Sequence, residues 1–300
     1  MVADKQVLRS EGEELEALLN ELQADQKVKE ISGWESGFTN LSRALDGILP
    51  GLYLLVGRPG CGKTAFVKQL FDQVAMHNSV PGIFFSFADG KKELRIKTLS
   101  RLSGIENREL RRGSAYMLHW YGLPKRVTEL EELPPSWEKV KTAAAAARSW
   151  LNLTYLVECA RETDLDEIEQ LVLQTTASAS SDRIMVVIDD SQRLGSAQPL
   201  TTRLPAVIER LQAFAVRRHL PIVAVWPDLL EETPSLPQAW LNKALSADVI
   251  LVMERDTERT KKLTEPNQAI TVHIVKNRGG ETGKLAYDFF PAFSKFRELD

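Results

Sequence analysis

The sequence is nearly without cysteine: Cys61 and Cys159 are the two in 300 residues. That excludes a disulfide framework and a cysteine-built metal cluster. An excess of charge of one sign is also missing. With a net charge of -3 and a pI near 6.0 there is no overall basic field, so any contact with nucleic acid has to come from a local patch. No 18 apolar residues run together, and the opening "MVADKQVLRSEGEELEALL" has no apolar core of signal-peptide type, so neither export nor membrane spanning is expected. The cytoplasm is the expected compartment. A repeat of fixed period is absent too. What remains is the composition of an ordinary globular protein, 43% hydrophobic and 26% charged, long enough for one large core.

The first thirty residues differ from the rest. "EGEELEALLNELQADQ" sets Leu15, Leu18, Leu19 and Leu22 at helical spacing with acids on the other side, which predicts a helical arm over 1–30. From Gly51 onward short apolar strands alternate with amphipathic helices: "LYLLVG" then "KTAFVKQLFDQVAMH", "GIFFSF" then "KKELRIKTLSRLSG", "RIMVVID" then "RLPAVIERLQAFAVRRH", followed by "PIVAVW", "DVILVME" and "AITVHIVK". This is the pattern of an α/β domain, over 31–300, whose mostly parallel twisted sheet is covered by helices on both faces. Ligands of such sheets sit at the carboxyl ends of the strands.

The most specific motif is "GRPGCGKT", comprising Gly57, Arg58, Pro59, Gly60, Cys61, Gly62, Lys63 and Thr64. It fits G-x-x-x-x-G-K-[ST] between a strand and a helix, the arrangement of a P-loop. Glycines let successive N–H groups turn inward onto phosphate oxygens, and the helix starting near Lys63 adds its positive end. Lys63 then reaches the β and γ phosphates of ATP, and the Thr64 hydroxyl ligates Mg²⁺. Cys61 reads as a small filler. "RIMVVIDD" supplies the partner carboxylate: Asp189, ending an apolar strand, is the second candidate metal residue.

"SGFTNLSRALDGILPGLYLLVGRPGCGKTAF", "FFSF", "ELRRG", "VVIDDSQRL", "SADVILVMERD" and "HIVKNRGGETGKLAYDFFPAFSKF" occur in the order and at the spacing found in the ATPase domain of DnaB-type replicative DNA helicases. The resemblance covers about Gly37 to Phe296 and implies a RecA-like P-loop NTPase fold with a C-terminal β-hairpin. "VKNRGGETG" resembles that family's K-x-R-x-G-x-T-G hairpin, which implies that Lys276 and Arg278 act on the γ-phosphate bound by the next subunit. The physics agrees: two cations two residues apart on a strand share a face, and "GG" signals a tight turn. A planar guanidinium suits the charge of a transferring phosphoryl group. A trans-acting residue implies a homo-oligomer, a ring such as a hexamer or a filament.

Two positions depart from the family's pattern. Its strand corresponding to "FFSF" ends with a glutamate that polarises the attacking water, where this chain has Ala88. Asp89 is next, but side chains alternate along a strand and aspartate is shorter, so Asp89 is expected to be a poor substitute. The family's γ-phosphate-sensing glutamine falls in the region of Trp226 and Pro227, and proline donates no hydrogen bond. Many other P-loop ATPases place the water-polarising acid directly after the metal aspartate, which makes Asp190 the candidate catalytic replacement. Gln192 stands where the family has a glutamine that relays phosphate state.

Single-stranded DNA is the implied polymer partner, and other replication proteins are further candidates. The loop "QRLGSAQPLTTRL" offers Arg193 and Arg203 to a phosphate backbone. A second loop, from Asp228 with Glu231, Glu232 and the lone Lys243, is ill suited to a polyanion. The basic stretch from Lys91 reads as a helical outer face around Leu94, Ile96, Leu99 and Leu102. Trp34, Trp120, Trp137, Trp150 and Trp240 read as core or interface. Two functions are open: an ATP-driven motor of the helicase type, or a nucleotide-binding scaffold with little or no hydrolysis.

Overall fold

The computed structural model describes Ser10, Gly12, Leu15, Leu18, Leu19 and residues 31–113, 135–194, 200–227 and 246–299, without side-chain detail at 135, 136 and 200–204. Leu22, Trp120, Trp240 and the acidic loop from Asp228 to Lys243 lie outside the described residues. Gly12, Leu15, Leu18 and Leu19 are helical, and the three leucines are exposed.

Nine strands form one sheet in the order β3-β2-β4-β5-β1-β6-β7-β8-β9. They are β1 (Gly51–Gly57), β2 (Gly82–Ser86), β3 (Thr154–Glu158), β4 (Met185–Asp189), β5 (Pro221–Pro227), β6 (Val249–Arg255), β7 (Gln268–Asn277), β8 (Gly283–Phe290) and β9 (Lys295–Glu298). The six from β3 to β6 in that order pair in parallel, and β7, β8 and β9 continue antiparallel. The helices are α1 (Thr39–Leu45), α2 (Lys63–Asn78), α3 (Lys91–Ser103), α4 (Asn107–Arg112), α5 (Pro135–Ala146), α6 (Arg148–Leu151), α7 (Leu165–Ala179), α8 (Leu200–Arg218) and α9 (Thr257–Thr260). No described helix is long and apolar enough to cross a membrane.

β1 is buried along its whole length because both faces of the sheet are covered. Tyr53 and Leu55 join the core around Phe66, Phe71 and Tyr287, while Leu52, Leu54 and Val56 join the core around Ile208, Leu211 and Phe214 on the other side. That period of two places α2 over one face and α8 over the other. Each buried leucine or valine contributes about 1.5–3 kcal/mol relative to exposure, so the strand leading to the glycine-rich loop is a rigid base.

α3 departs from the outer-face expectation. Leu94, Ile96, Thr98 and Ser100 are buried, Leu102 is exposed, and Arg101 is itself buried. The reason lies in α2: Asp72 accepts hydrogen bonds from Lys68, Thr98 and Arg101, which draws two cations into the interface between the helices. Trp34 and Trp150 are buried as expected, and Trp137 is exposed. Arg203 falls on α8, not on a loop as expected, because the helix begins at Leu200.

Candidate functional site

The turn from β1 into α2 forms at the carboxyl edge of the sheet, with Gly57 beside Pro227 on β5 and Met253 on β6. Gly62, directly before the helix, has φ 87°, and a Cβ there would lie 2.8 Å from Phe289 Cε1 and 2.9 Å from Phe296 Cζ. Backbone conformation and the packed aromatic rings both require glycine. Gly60, at φ 82° with open space around it, is needed for its conformation alone. Lys63 folds back over the loop, its Nζ donating to the carbonyls of Gly57 at 2.7 Å and Arg58 at 3.0 Å. Cys61 is buried, and that burial pushes its thiol above the usual range while Lys63 pulls it down. It is a packed filler, as expected.

Asp189 ends β4 and is 1% exposed. Its carboxyl is pushed up to about 6, first by burial, against a hydrogen bond from Thr64; Asp89 and Asp190 push the same way as burial, and Lys63 opposes. The Oδ2 atom is buried without a hydrogen-bond partner. A buried carboxylate with an unsatisfied oxygen beside a threonine hydroxyl fits a hard divalent cation, which takes oxygen ligands and offsets the cost of burying the charge.

A cavity of about 820 Å³ opens over the loop. Its lining includes Lys63, Thr64, Asp89, Lys97, Arg108 and Arg111 as well as Pro266, Phe289 and Pro291. Polar and cationic groups together with apolar rings suit a ligand with an anionic tail and a flat apolar head. Lys97, Arg108 and Arg111 read as surface cations in the sequence. They reach the cavity because α3 packs on α2 and α4 packs on α3, where Arg111 also pairs with Glu93 at 2.6 Å. No local spacing signals that.

The end of β2 differs from the expectation of strand alternation. The strand stops at Ser86, and Phe87, Ala88 and Asp89 form a bend. Ala88 is exposed, while Asp89 lines the cavity, its Oδ2 3.2 Å from Lys97 Nζ and its backbone N–H donating to Ser86 Oγ at 3.0 Å. Alternation applies only to an extended chain, so it does not turn Asp89 away from the loop. Asp190 has a left-handed backbone, φ 61°. Its Oδ1 accepts from Gln192 Nε2 at 2.7 Å and its Oδ2 lies 2.7 Å from Arg193 Nε.

Lys276 and Arg278 lie at the opposite edge. β7 runs antiparallel to β6, with Asn277 beside Val249 and Ile270 beside Arg255, so the β7–β8 turn sits at the amino ends of the parallel strands. The Arg278 N–H donates to the Asp248 carbonyl at 3.0 Å, and its Nη1 lies 2.8 Å from Asp248 Oδ1. Burial first, and then the Arg278 charge, lower the proton affinity of Lys276 against the pull of Asp248. Arg278 is therefore the cation that pairs with Asp248, and Lys276 lies within its electrostatic reach. Asp248 Oδ2 also accepts from Leu52 N at 2.9 Å, and from Leu52 to Gly57 is roughly 16 Å of strand. Arg278 is thus remote from the glycine-rich loop of its own chain.

Trp226 is buried with an unpartnered Nε1, and Pro227 ends β5.

Residues 33–226 match the profile of the DnaB-like helicase C terminal domain. The replicative DNA helicase DnaB of Leifsonia xyli is 23% identical over 297 residues, covering 94% of this chain and 59% of that protein. The DnaB helicase of Haemophilus influenzae is 22% identical over 327 residues, covering 99% of this chain and 64% of that protein. The chain thus spans about three fifths of the length of these relatives. A solved ATPase domain superposes with a TM-score of 0.79 at 21% identity, covering 98% of this chain and 100% of that one. A DnaB-like replicative helicase, solved for its interactions with primase, gives a TM-score of 0.74 at 21% identity over 95% of this chain and 68% of its own. At these identities the superpositions establish a shared RecA-like fold.

Proposed function

The chain belongs to the DnaB-like helicase C-terminal domain family, and from that premise we propose that it binds and hydrolyses ATP with Mg²⁺ between copies of itself and acts on single-stranded DNA. The observation that carries the reading is the buried, unpartnered Oδ2 of Asp189, set against Thr64 at the foot of a P-loop. The amides from Gly57 to Gly62 cradle the phosphates, Lys63 neutralises the β and γ oxygens, and Thr64 and Asp189 hold the cation. Held by Thr64 and Asp189, Mg²⁺ would supply positive charge to offset the negative charge of the phosphates. The apolar lining residues Pro266, Phe289 and Pro291 offer surface to the base.

Lys276 and Arg278 act in trans. Their place at the far edge of the sheet supports this, since Arg278 is remote from its own loop. The assembly is accordingly a ring or a filament. The arm over 1–30, with Leu15, Leu18 and Leu19 exposed, serves as a linker to a neighbouring copy. Arg193 and the α8 residue Arg203 are the candidate contacts to a phosphate backbone, and replication proteins are the candidate partners.

A second reading, a nucleotide-binding scaffold with little turnover, is favoured by Ala88 and by Pro227 beside Gly57. ATP hydrolysis measured with and without single-stranded DNA, alongside the mass of the protein in nucleotide, separates the two. DNA-stimulated turnover by an oligomer supports the motor. Tight ATP binding without turnover supports the scaffold, and no ATP binding overturns both.

A further inference from the structure

We propose that Asp89 is the acid that takes the proton of the attacking water, replacing the glutamate that Ala88 lacks; the inference rests on the hydrolytic reading above. Asp89 and Ala88 exchange the exposures that alternation along a strand predicts. β2 ends at Ser86, the bend exposes Ala88, and Asp89 shares the cavity lining with Lys63 and Thr64. Its charge is felt at Asp189, the proposed cation ligand. A carboxylate in that lining shares the cavity that a triphosphate held by the loop would enter.

The bend is fixed from several sides. The Asp89 N–H donates to Ser86 Oγ, and the Lys91 N–H, at the start of α3, donates to Glu158 Oε1 at 2.5 Å. Lys97, further along α3, holds Asp89 Oδ2 at 3.2 Å. α3 is itself fastened to the P-loop helix through the buried Asp72, which accepts from Lys68 on one helix and from Thr98 and Arg101 on the other. Asp89 is therefore held relative to Lys63 by a rigid pair of helices, as a catalytic group must be. The ion pair to Lys97 engages one oxygen and leaves Oδ1 for a water.

Asp190 is placed differently. Gln192 and Arg193 occupy both of its oxygens at 2.7 Å, and its left-handed backbone starts the short turn that carries them. This is the arrangement of a loop organiser, because both oxygens are engaged in charge-assisted bonds within the turn, which favour the ionised form.

In the proposed step the water oxygen bonds to the γ-phosphorus, and the bond from that phosphorus to the β,γ-bridging oxygen breaks. ADP departs with the electron pair. The water proton passes to Asp89 Oδ1 and leaves with the phosphate product.

The test compares phosphate release and Mg²⁺-ATP affinity for the full chain and its D89N, D89E, K97M, D190N and K63A variants. D89N is expected to slow turnover by about 10²-fold or more with ATP affinity within about twofold. D89E, which keeps a carboxylate, retains most of the rate that D89N loses. K97M, which breaks the ion pair and leaves the acid, falls far less than D89N. Wild-type turnover above K63A with D89N at the wild-type rate overturns the role of Asp89 alone. So does K97M matching D89N, which makes the ion pair the whole effect, or D190N slowing turnover more than D89N. Wild-type protein that binds ATP yet turns over no faster than K63A overturns the hydrolytic reading as well.

Discussion

Arg278 is clamped to Asp248 twice, through its backbone N–H at 3.0 Å from the carbonyl and through Nη1 at 2.8 Å from Oδ1. The second oxygen of Asp248 is anchored to Leu52 N on β1, so the hairpin guanidinium is tied to the strand that leads to the glycine-rich loop, at the end away from that loop. Its side chain is 58% exposed. R278A is expected to lower ATP turnover about 10³-fold or more while leaving ATP affinity within about threefold. Steady-state phosphate release and nucleotide titration check this. A large loss of affinity with unchanged turnover would place Arg278 outside the reacting phosphate.

The pH dependence of nucleotide stabilisation follows from Asp189. Its carboxyl is raised to about 6 from an ordinary 3.8, chiefly by burial. The folded chain therefore holds this proton more tightly than the unfolded one. The resulting stability is complete below about pH 3.8 and is lost as pH rises through 6, a cost of about 3 kcal/mol to the nucleotide-free protein at pH 7. A bound cation needs the ionised form. Mg²⁺-ATP should therefore raise the melting temperature more at pH 7.5 than at pH 5, and D189N should lose most of that difference. Equal shifts at both pH values in the wild type would count against Asp189 as the cation ligand.

Asp72 holds two buried cations, Lys68 and Arg101, with side chains 3% and 7% exposed. D72A leaves both in the interface between α2 and α3 without their carboxylate, an arrangement that costs about 3–5 kcal/mol. Urea unfolding should show a midpoint lowered accordingly. D72N, which keeps the shape and one acceptor oxygen, should fall between the two. A D72A protein as stable as wild type would mean that the cations find water in place of the acid.

The sheet and its helices were legible because strands buried on both faces read as unbroken apolar runs, such as Leu52 to Val56, set off by amphipathic helices. The glycine-rich turn into α2 was legible for a different reason: its motif has a fixed local spacing, and Gly62 takes the positive φ that favours glycine. The placement of Asp89 was not legible. Whether alternation applies to it depends on where β2 ends, and element ends are the least certain part of a sequence reading. Lys97, Arg108 and Arg111 were read as outward-facing because nothing within α3 or α4 shows that α3 packs on α2 and α4 on α3. Arg101 was missed for a related reason, since its partner Asp72 is 29 residues away in the chain.

The central claim is a composite site, with Lys63 of one copy and Arg278 of the next meeting at one triphosphate. Mixing K63A protein with R278A protein tests it most directly, because neither parent contains a complete site. Random assembly in equal amounts restores the pairing at about one quarter of interfaces. The account predicts that two nearly inactive parents regain roughly that share of wild-type ATP turnover on mixing. Mixed assemblies, verified by mass, that stay as inactive as their parents would contradict it.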